Sequence, residues 1–75
     1  MSQYIELKAL LGKNKLTFDE AKRGATIVAG LMKNDPTDKD GWVGSLRYFL
    51  TIMDARCFAG YSQEAIAIKN SVGID

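Results

Sequence analysis

Apolar residues in this chain return every three or four positions and nowhere alternate for long, which predicts helices and no strand. Tyr4, Leu7 and Leu11 recur at helical spacing between Ser2, a candidate cap, and Gly12, a candidate stop, so a first helix is expected over Gln3–Leu11. The loop Gly12-Lys13-Asn14-Lys15 follows. Thr17-Phe18-Asp19-Glu20 then reads as a capping box, in which hydroxyl and carboxylate each take up an orphan amide of the first turn. The second helix runs on to about Lys33, because Pro36 disfavours helical geometry at Asp35 and Asn34 can adopt a left-handed stop. Phe18, Ala21, Ala25, Val28, Ala29 and Met32 share one of its faces, widened by Ile27 and Leu31. Asp19, Lys22, Arg23, Thr26 and Lys33 form the opposite, solvated strip.

Turn formers and acids fill the connection from Asn34 to Gly41, with Thr37 or Asp40 as caps for a third helix. That helix, expected from residue 41 or 42 to about 59, carries the longest apolar pattern. Trp42, Val43, Leu46, Phe49, Leu50, Met53 and Cys57 make one core-facing stripe. Gly44, Tyr48, Ile52, Ala55 and Ala59 make a second side where another helix could approach closely. Gly60 ends the helix and Ser62 caps a fourth, Gln63 to about Asn70, with Ala65, Ile68 and Val72 at helical spacing. The expected fold is therefore all-α, one domain over residues 1–75, a small bundle of three to four helices with a central long third helix.

Composition narrows the stabilising devices. A chain of 75 residues buries only about 60% of its unfolded surface, and domains this small often lean on a disulfide, a metal or a second subunit. One cysteine and no histidine exclude an intrachain disulfide and the common zinc-ligand sets. No cofactor and no metal are expected. Packing and self-association remain, and a homo-oligomer is the expectation. The hydrophobic fraction of 47% belongs to a folding chain, and the net charge of +1 selects no partner class. No apolar run approaches a membrane span, and Met-Ser-Gln-Tyr-Ile-Glu has no secretory features, so a cytoplasmic protein without membrane attachment is expected.

Chemistry is scarce. Without histidine, Ser-His-Asp and Cys-His catalysis is excluded, and Cys57 on an apolar stripe is expected to be buried and inert. The carboxylates sit mostly at helix starts, where they favour the helix dipole, and no pair among them has the spacing of an acid and a base. An EF-hand alignment of Asp38, Asp40 and Gly41 puts Pro36 and Arg47 where acidic ligands are required. Gly41-Trp42-Val43-Gly44 lacks the lysine and the strand-loop-helix setting of a phosphate loop. An enzyme is not expected.

Gly60-Tyr61-Ser62-Gln63-Glu64-Ala65-Ile66-Ala67 resembles the opening of the first helix in helix-turn-helix repressors, over these residues alone. Only Ile74 and Asp75 follow Gly73 in this sequence, so a recognition helix entering the major groove is not expected from these residues. A similarly short stretch is similar to the glycine-aromatic loop of ubiquitin-associated domains.

The expected function is that of a non-catalytic binding protein, an adaptor, inhibitor or regulator that acts on a protein partner. Its contacts would be Trp42, Tyr48, Ile52 and Tyr61, with Arg47 or Arg56 as polar anchors, because aromatics and arginine concentrate interface energy. The alternative is a nucleic-acid-binding regulator using the first loop and the second helix through Lys8, Lys13, Lys15, Lys22, Arg23 and Lys33; it is not favoured, because neighbouring acids dilute their field. A small anion held between subunits by Arg47, Arg23 or the helix starts near Thr17 and Ser62 is a third expectation.

Overall fold

The structure is a computed structural model that describes residues 3–74. Four helices, α1 (Gln3–Leu11), α2 (Phe18–Asn34), α3 (Lys39–Ala55) and α4 (Gln63–Val72), form the small all-α bundle that the apolar spacing predicts. A short 3₁₀ turn, Pro36–Asp38, runs straight into α3 and makes that stretch the longest helical run of the chain. The expected cap at Ser2 lies outside the described residues.

Two of the helix starts follow from local chemistry. At α2 the Thr17 hydroxyl accepts from the Glu20 amide at 3.2 Å, and a Glu20 carboxylate oxygen accepts from the Thr17 amide at 3.0 Å, which completes the capping box. At α4 the Ser62 hydroxyl accepts from the Ala65 amide. The start of α3 departs from expectation. Proline at the first position of the 3₁₀ turn lets the helix begin at Lys39, so Asp40 is already inside it, and the Thr37 hydroxyl donates to Asp35 instead of capping. Neither Asn34 nor Gly12 is left-handed: among the described residues only Gly60 and Gly73 have positive φ, and Asp35, with φ −134° and ψ 80°, closes α2 while its amide still donates to the Leu31 carbonyl.

The third helix also stops earlier than residue 59, at Ala55. Asp54 supplies the reason. Its carboxylate accepts from the Ser62 amide at 2.9 Å, drawing the chain back toward the helix, while the Arg56 amide is shared between the carbonyls of Ile52 and Met53 and the Cys57 amide turns onto Asp54, three residues behind it. Cys57 is consequently a half-buried turn residue and not part of the helical stripe, and Ala59 leaves the helix altogether.

α2 touches each of the other helices. Its small residues, Ala21, Gly24, Ala25 and Ala29, are all buried and let its neighbours close in. The tightest approach is at Gly24, where a Cβ would stand 2.4 Å from Cε1 of Phe49. Leu46, Phe49 and Met53 of α3 are fully buried against this surface, with Leu50 beside them. Each such side chain contributes about 1.5–3 kcal/mol by leaving water. α1 lies along α2 through Leu7 and Leu10, and its Tyr4 ring meets Trp42 of α3 at 6.1 Å between centroids. No buried side-chain nitrogen or oxygen among the described residues lacks a hydrogen bond.

Candidate protein-binding surface

With the core closed, the exposed large apolar residues become informative. They are Tyr4, Ile5 and Leu11 on α1, Tyr48 on α3, Phe58 and Tyr61 in the turn between α3 and α4, and Ile66 on α4. Phe58 stands apart. Its relative exposure is 110%, so the ring touches essentially nothing in its own chain.

That ring is carried on a braced turn. The Arg56 amide donates to the carbonyls of Ile52 and Met53, the Cys57 amide to Asp54, and the Gly60 amide to Cys57. Gly60 turns the chain with φ at 82°, a conformation that L side chains rarely adopt. On the far side, buried Ser62 has its amide on Asp54 and its hydroxyl between the Ala65 amide and Glu64. The Glu64 carboxyl is held below its ordinary 4.5 by its own backbone amide and by the Ser62 hydroxyl. The Arg56 guanidinium spans to the first loop, its Nε donating to the Leu16 carbonyl at 3.0 Å, forty residues away in sequence. An open cleft of about 490 Å³ lies there, lined by Lys15, Leu16, Thr17, Phe18 and Arg56. Phe58 therefore projects from the end of the bundle where the α1–α2 loop and the α3–α4 turn meet.

The expected contact residues divide between two places. Tyr61 and Arg56 belong to the braced turn and are exposed. Arg47 and Tyr48 lie on the outer face of α3, also exposed, with Tyr48 edge-on to the Phe49 ring at 5.4 Å. Trp42 and Ile52 are half-buried and pack against the core margin, so neither stands out as a free contact. Phe58 was not among the expected residues. The helix expected to about residue 59 takes in position 58, whereas its setting is a turn; the signal that could have found it is a large aromatic two residues before a glycine and four before a capping serine.

Two of the basic residues expected to meet nucleic acid are engaged by acids. Lys13 pairs with Glu20, and Arg23 makes two hydrogen bonds to Glu6, at 2.7 and 2.9 Å. These partners hold the Glu20 and Glu6 carboxyls below 4.5, chiefly through the hydrogen bonds from Lys13 and Arg23, and hold the Arg23 guanidinium above its usual value. Lys15 lines the cleft beside Arg56, Lys8 is exposed on α1, and Lys22 acts on Glu64. Lys33 lies roughly 16 Å along α2 from Lys22. It borders a second hollow of about 180 Å³ with Met32, Pro36, Lys39, Ser71 and Val72, smaller than the usual small-molecule site of about 300–1,000 Å³. Arg23 is engaged by Glu6, and Arg47 is exposed on the outer face of α3. Among the described residues no group of cysteines and acids could hold a metal ion, and no helix is long and apolar enough to cross a membrane.

No protein-family model, curated protein or solved structure matches this chain. Its function has to be read from its own surface.

Proposed function

We propose that this protein is a non-catalytic binding module, an adaptor, inhibitor or regulator, that engages a protein partner with the turn between α3 and α4. The observation that carries this reading is Phe58, a wholly exposed phenylalanine on a turn fixed by hydrogen bonds at both ends. With the backbone of the turn already braced, only the rotamers of the phenylalanine itself remain to be ordered when a partner closes over it, so more of its burial appears as affinity. Tyr61 and Arg56 flank it, and aromatic and arginine side chains are the residue types that dominate interface energetics. The partner surface is accordingly an apolar socket that admits one aromatic ring, with a hydrogen-bond acceptor or carboxylate for the guanidinium.

The test is a photo-reactive phenylalanine analogue at position 58, irradiated in extract of the native cell, with the same analogue at exposed Thr26 on α2 as control. A discrete protein adduct is expected at 58 and not at 26, unchanged by nuclease. Phe58→Ser should remove the partner from affinity capture while leaving the unfolding transition in place, because the ring contributes nothing to the core. Retention of the partner by Phe58→Ser, or an adduct that disappears with nuclease, would overturn the reading; the second result would favour nucleic-acid binding.

A further inference from the structure

Among the described residues, no other helix covers the outer face of α3. Asp40, Gly44, Arg47 and Thr51 recur along it at steps of four, three and four residues, with Tyr48 and Ala55 alongside, and all six are exposed. Two features of this face have no use inside the monomer. The first is Gly44, where an added Cβ would meet nothing within 4 Å, although a mid-helix glycine costs about 1 kcal/mol against alanine. The second is the charge order: Asp40 and Arg47 sit two helical turns apart, and the ion pairs among the described residues, Lys13 with Glu20 and Arg23 with Glu6, involve neither.

An acid, a glycine and then a base along one helix edge are complementary to the same edge running the opposite way. We infer that two copies of this chain pair through α3 in an antiparallel, two-fold arrangement that crosses near Gly44. In a two-fold interface every contact occurs twice with the roles exchanged, so Asp40 faces the partner's Arg47 and Arg47 faces the partner's Asp40. A parallel pairing in register would instead set like charges together. Gly44 permits the close approach at the crossing, and Tyr48 and Thr51 supply contact area on either side. One helix face is smaller than a standard interface, so the dimer is weak and dependent on concentration. The arrangement points the C-terminal ends of α3, and with them the Phe58 turns, away from each other. From Gly44 to Ala55 is roughly 16 Å of helix, which separates the two ends by about 33 Å and makes the dimer a bivalent ligand.

Sedimentation equilibrium on the full chain, from about 10 μM to about 1 mM and at low and high salt, tests this. Wild type should move from monomer to dimer over that range. Asp40→Arg and Arg47→Asp should each raise the dissociation constant about tenfold, or about 1.4 kcal/mol, since each turns two attractive pairs into two repulsive ones. The double reversal should restore association. Gly44→Gln should weaken the dimer with the helical circular-dichroism signal unchanged, because the space at Gly44 is open in the monomer. A chain that stays monomeric throughout, single reversals without effect, or a double reversal that fails to restore pairing would each overturn the inference. Phe58→Ser should dimerise as wild type does, so failure of the α3 pairing is distinguishable from failure of the Phe58 surface.

Discussion

Gly24→Ala sets two effects of opposite sign against each other, and the structure decides between them. Alanine within a helix is favoured over glycine by about 1 kcal/mol, so propensity alone predicts a more stable protein. At position 24, however, the new methyl would fall 2.4 Å from Cε1, 2.5 Å from Cζ and 2.7 Å from Cδ1 of Phe49. A ring cannot bend out of the way as a flexible chain end can, and this one is wholly buried, with Tyr48 against its edge. Either the ring leaves its rotamer or α2 and α3 move apart, and overpacking of this kind costs about 1–3 kcal/mol. The net expectation is a loss of about 1 kcal/mol, or roughly 4–8 °C in Tm for a domain of this size. Gly30→Ala is the internal control. It lies on the same helix, and its added methyl meets nothing within 4 Å, so propensity acts alone and stability should rise by about 1 kcal/mol. Urea unfolding followed by circular dichroism gives both free energies on one scale. If Gly24→Ala stabilises as Gly30→Ala does, the close packing of α2 on Phe49 is wrong.

Two further outcomes follow from the caps and the surface carboxylates. Ser62→Ala removes the acceptor for the Ala65 amide at a buried position and should cost about 0.5–2 kcal/mol in urea unfolding, where an unchanged midpoint would refute the role of the cap. Glu6, Glu20 and Glu64 are held below 4.5 in the folded chain, so the stability they lend is present above that pH and is lost as pH falls through their lowered values. Thermal unfolding should show a declining Tm below about pH 4.5 that Glu6→Gln makes shallower, and a steeper decline in the variant would contradict the assignment.

What could be read from the chain alone was whatever depends on neighbours in sequence. The capping box at Thr17 and Glu20 and the serine cap at Ser62 each involve residues within three positions, and both form as their residue types require. The apolar stripes of α2 and α3 were legible because helical period is itself local. The end of α3 was not, since it depends on Asp54 accepting from an amide eight residues ahead, and an aspartate in a helical pattern does not announce which amide it will take. Gly24 was opaque for the same reason: its demand for glycine comes from a ring twenty-five positions further on. Of the expected contacts, Arg56, Tyr61, Arg47 and Tyr48 are exposed and Trp42 and Ile52 lie at the core margin, while the turn that carries Phe58 falls within the four residues by which the expected α3 overran its end.

The position of Phe58 is hard to account for by folding alone. Burying a phenylalanine stabilises a small domain by about 1.5–3 kcal/mol, and a chain of this size has little stability to forgo. The turn that carries the ring nevertheless engages Asp54, Gly60, Ser62 and, through Arg56, the carbonyl of Leu16, so the fold holds that side chain outward with several hydrogen bonds from both neighbouring segments. A linker between α3 and α4 would need none of this, since a polar residue at position 58 would meet the same backbone requirements and expose no apolar ring. A fixed turn and an unburied aromatic are reconciled once the ring has a partner outside the chain, which is why the proposed function rests on Phe58 more than on the longer apolar pattern of α3.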